Sequence, residues 1–89
     1  MPNEKPHTAQ IEIRLFASAA DKAGRRIVHV PWQAGDTIGE VANRLCSQIP
    51  AIAPIINSSR WAIDMKFVSY KAIVDFDAEV ALIPPVSGG

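Results

Sequence analysis

The sequence predicts an α+β domain, a mixed sheet of about four to five short strands with one main helix packed across it. Three observations carry that prediction. Short segments near both ends of the chain alternate apolar and polar residues with a period of two. One longer segment between them repeats its apolar residues with the period of a helix. The length of 89 residues, with 48% hydrophobic and 20% charged content, suits one small domain with a modest core.

Residues 1–9 hold Pro2 and Pro6 among mostly polar neighbours and read as a mobile N-terminal tail. The domain proper is expected over 10–83. In Gln10–Phe16, Ile11, Ile13 and Leu15 fall on one side and Glu12 and Arg14 on the other, the pattern of a half-buried strand. Ser18–Arg26, with Asp21, Lys22 and Gly24, reads as a short connection with room for one helical turn. Ile27–Trp32 alternates again, through Val28, Val30 and Trp32. Pro31 has no N–H to give to a ladder, so this strand is expected at a sheet edge, paired with the first as in a hairpin.

Gly35-Asp36 marks a turn, and Thr37-Ile38-Gly39-Glu40 fits a capping box, with Glu three residues after Thr. Ile38, Val41, Ala42, Leu45 and Ile49 then line one face of a helix over about 37–48, ended by Pro50 and weakened slightly by Gly39. This helix is the crossover that a parallel strand pair needs. Pro50–Arg60 reads as a loop with room for a helical turn at Ile52–Ile56. Trp61–Met65 alternates Trp61, Ile63 and Met65 against Ala62 and Asp64 and reads as a strand. Lys66–Tyr70 is a short strand, Asp75–Asp77 a turn, and Glu79–Ile83 the last strand.

Charge and composition exclude several function classes. Nine Lys+Arg balance nine Asp+Glu, without the basic excess of a nucleic-acid-binding domain. No apolar run approaches the roughly 20 residues that span a bilayer, and no signal-peptide core is visible, so a cytoplasmic location is expected. Cys46 is the one cysteine, which excludes an internal disulfide and reads as a small hydrophobe in the helix. His7 and His29 lack the close spacing of metal ligands, and no metal is expected. Trp32 and Trp61 are expected in or beside the core.

The informative feature is residues 84–89, Pro84-Pro85-Val86-Ser87-Gly88-Gly89. Two prolines after a strand impose an extended chain, and the small residues behind them cannot build a core. Glycine without a Cβ allows a carboxylate to pass down a narrow channel. Such a carboxylate is a chemical handle: ATP converts it to an acyl-adenylate, open to sulfur or amine nucleophiles.

Val80-Ala81-Leu82-Ile83-Pro84-Pro85-Val86-Ser87-Gly88-Gly89 resembles the C-terminal signature of the small, sulfur-carrying subunits of molybdopterin synthase. Leu15-Phe16-Ala17 with Asp21 and Gly24, Asp36-Thr37-Ile38-Gly39-Glu40, and Phe67-Val68-Ser69 resemble further parts of that family, so the likeness covers residues 10–89. Three positions depart from it: Ala20-Asp21 stands for a usual Arg-Glu pair, Asp77 for a turn glycine and Ile63-Asp64 for a usual Val-Asn. Asp tolerates the left-handed conformation such a turn glycine adopts.

The resemblance implies the ubiquitin-like β-grasp fold and a carrier role. A ubiquitin-activating-like enzyme would spend ATP to adenylate the carboxylate of Gly89, and a sulfur donor enzyme would convert it to a thiocarboxylate, a 1-thioglycine. The synthase large subunit, in a heterotetramer with two small subunits, would take the tail into its active site, where the sulfur attacks a cyclic pyranopterin precursor. No cofactor is expected on this chain. Gly88, Ser87, Val86, Pro85 and Pro84 would thread and stiffen the arm. Phe16, Phe67 and Ile83 stand where the family meets its large subunit, and core packing is the other reading for each. A thiazole-synthesis sulfur carrier, a ubiquitin-like modifier of proteins and a binding module with an inert tail remain as alternatives.

Overall fold

A computed structural model describes residues 9–85. Strand β1 spans Ala9–Leu15 and buries Ile11, Ile13 and Leu15 while Glu12 and Arg14 stay exposed. The expected connection is in fact a two-turn helix, α1, at Ala17–Ala23. Its four alanines supply high helix propensity, and Gly24 ends it in the left-handed conformation at φ 74°. Strand β2, Ile27–Trp32, pairs antiparallel with β1 and buries Val28 and Val30.

Helix α2, Ile38–Gln48, carries the capping box in full. Thr37 Oγ1 accepts the Glu40 N–H at 3.3 Å, and Glu40 Oε1 accepts the Thr37 N–H at 2.8 Å. Two more unpaired donors of its first turn are met by a distant loop: Ile38 and Gly39 donate to the carbonyls of Ala72 and Tyr70 at 2.9 and 3.0 Å. A 3₁₀ turn at Pro50–Ile52 leads into α3, Ala53–Ile56, and Pro50 and Pro54 stand at the starts of these pieces, where a missing N–H costs nothing.

Strands β3, Arg60–Ile63, and β4, Lys66–Val68, form a tight hairpin. The expected Trp61–Met65 strand therefore ends two residues early: Asp64 and Met65 make the turn, and Met65 does not share the inward side with Trp61 and Ile63. The last strand, β5, is Val80–Ile83. The turn before it is made by Phe76 and Asp77, and Asp77 does not take the left-handed conformation.

The sheet order is β2-β1-β5-β3-β4. Its one parallel pair is β1 with β5, not the second and third strands, and all other neighbours are antiparallel. Strand β2 lies at an edge, where the missing N–H of Pro31 is tolerated. The core forms between one face of the sheet and the helices. Ile13, Val28, Val30, Trp61, Val80 and Leu82 meet Ile38, Val41 and Leu45 of α2, with Ala19, Ile52 and Ile56 closing the far end. Each such aliphatic side chain contributes about 1.5–3 kcal/mol on full burial. Trp32 is half-buried at the rim, where its indole N–H donates to the Val74 carbonyl at 2.7 Å. Among the described residues, no helix is long and apolar enough to cross a membrane, and no cluster of His, Cys, Asp and Glu has the makings of a metal site.

Candidate functional site

Helices cover only one face of the sheet, so the residues that alternate away from the core stand on an open face. Strand parity puts Arg14 and then Phe16 there from β1, Ala81 and Ile83 from β5, Arg60 and Ala62 from β3, and Phe67 from β4. The register places Ala62 opposite both Ala81 and Phe67. Two alanines side by side on the central strands leave a depression between larger neighbours. The result is a groove of about 270 Å³ lined by Arg14, Phe16, Ala62, Met65, Phe67, Glu79, Ala81 and Ile83.

Its apolar rim is well exposed, with Phe16 47% and Phe67 57% accessible. A folded chain has no internal reason to hold two phenylalanines in water beside a groove, and a partner surface is the common cause. Charges frame the groove. Arg14 Nε lies 3.0 Å from Glu79 Oε2, an exposed ion pair at one end. At the other end the Arg60 guanidinium sits 4.3 Å above the Phe67 ring, a cation–π contact that fixes the ring's orientation. Asp64 ties the β3–β4 turn to the start of β5: its N–H donates to the Glu79 carbonyl, and its carboxylate accepts the Glu79 N–H, both at 2.9 Å.

The residues singled out from the sequence divide into two groups. Phe16, Phe67 and Ile83 are brought together on this groove. Pro84 is buried and Pro85 exposed at the end of β5, next to Ile83. Val86, Ser87, Gly88 and Gly89 lie outside the described residues, as do the tail residues 1–8. Sequence reasoning missed Arg14, Ala62, Met65, Glu79 and Ala81. Parity was the available signal for two of them, since Arg14 and Ala81 each stand two residues from Phe16 and Ile83 at the ends of their strands, whereas Met65, two before Phe67, lies in a turn.

Cys46 lies elsewhere, half-buried on α2 beside a wide cleft of about 540 Å³ that also involves Thr37, Glu40, Asn43 and Tyr70. The other polar centre joins β2 to α2. Asp36, the one buried charged residue among those described, is hydrogen-bonded by both Arg44 amino groups and by the Gln33 N–H. The Arg44 hydrogen bonds hold the Asp36 carboxyl below its usual range, outweighing the opposite effect of burial. This pair is at the margin of the helix layer, away from the groove, and serves the fold.

A relative from Arabidopsis thaliana, the molybdopterin synthase sulfur carrier subunit, is 28% identical over 88 residues, covering 97% of this chain and 92% of that protein. Among solved structures, SAMP1 of Haloferax volcanii, a small archaeal modifier protein, superposes with a TM-score of 0.81 at 27% identity, covering 91% of this chain and all of the other. A Helicobacter pylori complex of subunits 1 and 2 of molybdopterin-converting factor contains a chain with a TM-score of 0.64 at 16% identity, over 90% of this chain and 99% of that one, a likeness of fold. The sheet with its single parallel pair and its helices on one face is the ubiquitin-like β-grasp, and the match over residues 13–89 shows that the chain belongs to the ThiS family.

Proposed function

We propose that this protein is the sulfur carrier subunit of a molybdopterin synthase. The observation that carries the reading is the combination of a Pro84-Pro85-Val86-Ser87-Gly88-Gly89 terminus with an apolar groove at the strand that leads into it. The Arabidopsis thaliana relative supports the same reading, as it is a sulfur carrier subunit of that synthase.

In this reading Gly89 carries the chemistry. An adenylating enzyme joins its carboxylate oxygen to the α-phosphate of ATP and releases pyrophosphate. Sulfide-level sulfur from a donor then attacks the acyl carbon, the bond to AMP breaks, and a thiocarboxylate is left. The terminal sulfur attacks the pyranopterin precursor, and hydrolysis returns the carboxylate. The described part of the chain positions the tail and supplies no acid or base to the reaction. The groove with Phe16, Phe67 and Ile83 seats a larger subunit, which contributes the catalytic groups. The Helicobacter pylori complex, in which subunits 1 and 2 of a molybdopterin-converting factor are bound together, supports such a partner. Pro84 and Pro85 limit the freedom of the arm and so reduce the entropy lost when it threads.

The likeness to SAMP1 favours a second use of the same terminus, attachment of Gly89 to lysines of other proteins. One experiment separates the two. Intact mass spectrometry of protein purified from its own cell should show a species in which one oxygen is replaced by sulfur, and the large subunit should coelute. Gly-Gly remnants on lysines, without any thiocarboxylate species, would assign the modifier role instead.

A further inference from the structure

The β3–β4 turn holds two residues only, Asp64 and Met65, both left-handed, with φ of 50° and 71°. Turns of this geometry favour Asn or Asp at the first position and Gly at the second. Asp64 conforms, and its two hydrogen bonds to Glu79 lock the turn. Met65 does not conform. Its Cβ strains the left-handed backbone, and its side chain is 90% exposed, more than any other large apolar side chain described. The Asp64 hydrogen bonds hold the turn against that strain, and among the described residues nothing covers the exposed side chain. Yet Met65 lines the same groove as Phe67 and Ile83, so the strained turn holds an adaptable thioether at its rim. At the opposite end of the hairpin, next to Ile83, Arg60 stacks on Phe67 and has no carboxylate partner among the described residues.

We propose that Met65 is a specificity-determining contact of the groove, received by the large subunit in an apolar socket at the Glu79 end, while a carboxylate of the same subunit meets Arg60 at the Ile83 end. The proposal rests on the large-subunit reading above. Reach argues for that occupant. The six residues after Ile83 span about 20 Å when extended, so a protein that takes in Gly89 must cover the surface around Ile83, where the groove begins.

The test is calorimetric titration of the large subunit from the same organism with the full chain and two variants, each also melted alone. Met65→Gln keeps the strained backbone and the side-chain length but replaces the apolar end. It should weaken binding about tenfold or more with the melting temperature unchanged. Met65→Gly relieves the strain, so it should melt a few degrees higher and still bind as weakly as Met65→Gln. A gain in stability with a loss of affinity is something a purely structural residue does not produce. Binding of either variant within twofold of wild type overturns the proposal and leaves the large-subunit reading standing. Failure of the wild-type chain to bind the large subunit overturns both.

Discussion

Arg44 reaches from α2 across to the end of β2, where its amino groups meet the Asp36 carboxylate and, at 3.1 Å, the Pro31 carbonyl. The carboxylate is buried, so its charge is tolerable only while paired. Because Arg44 holds the folded-state pKa of Asp36 below the unfolded value, the pair stabilises the fold above the ordinary carboxylate range. That contribution is lost as pH falls through this range toward the lowered folded value. Asp36→Asn should cost about 1–3 kcal/mol at neutral pH, since it leaves a partly buried guanidinium without its counter-charge. Thermal melts from pH 7 to pH 3 should show the gap between wild type and variant closing in acid. A gap independent of pH would mean that the ion pair is not what holds this corner.

Ala62 is the corresponding residue for the groove. Its burial comes from neighbours on the open face, and a larger side chain there would occupy the groove instead of the core. Ala62→Leu should keep the fold, at a cost of about 1–3 kcal/mol. It should weaken capture by the large subunit about tenfold or more, as read by coelution and titration. Undiminished capture would show that the partner does not enter the groove.

Among the elements, α2 was the most legible, because every signal that defines it is local. Thr37 and Glu40 announce its start, the spacing of Ile38 to Leu45 defines its buried face, and Pro50 stops it. Strands β1, β2 and β5 were legible from alternation, which set Arg14 opposite the inward Ile11, Ile13 and Leu15 but could not show that it shares a face with Ile83, since that follows from the strand register. Helix α1 was not legible, because Phe16 caps it without a side-chain hydrogen bond and so leaves no start signal. The β3–β4 turn was not legible either. Met65 continues the apolar alternation of Trp61 and Ile63, and a turn with methionine where glycine is favoured contradicts local preference. The pairing of β1 with β5 joins segments far apart in the chain, and no local pattern encodes it. The alanines on the groove floor carry no signal, since a small residue draws attention only once its neighbours are known.

Gly39 gives a test at this scale. Its backbone is helical, and an added Cβ would meet the Tyr70 carbonyl at 3.5 Å and Thr37 Oγ1 at 3.6 Å, both ordinary contacts. Gly39→Ala should therefore stabilise the fold by about 0.5 kcal/mol, or 2–4 °C in melting temperature. Thr37→Ala removes half of the capping box and should cost about 1 kcal/mol, or 4–8 °C. If Gly39→Ala lowers the melting temperature, the loop of residues 69–74 must pack more tightly on α2 than these distances indicate.

At the scale of the whole molecule, the sheet divides the work. One face spends its apolar residues on the helices and holds the fold together. The other leaves Phe16, Phe67 and Ile83 around an open groove next to Pro84 and Pro85. Stability and sulfur transfer should then be separable by mutation. Among the described residues, the core side chains run from Ile11 to Leu82, and Pro84 is the last buried residue. Changes at Gly88 and Gly89 should accordingly alter stability by less than about 0.5 kcal/mol. Their effect on chemistry should be severe, because a reacting group must be placed to within about 1 Å. Deleting Gly89 withdraws the carboxylate by one residue. Adding a residue after it puts a peptide bond where the proposed adenylate would form. Gly88→Val adds a branched side chain that should not pass the channel proposed for the tail. Each variant should melt like wild type, coelute with the large subunit through the intact groove, and fail to form thiocarboxylate or convert the pyranopterin precursor. A chain lacking Gly89 that still makes molybdopterin at the normal rate would show that the sulfur travels on some other group.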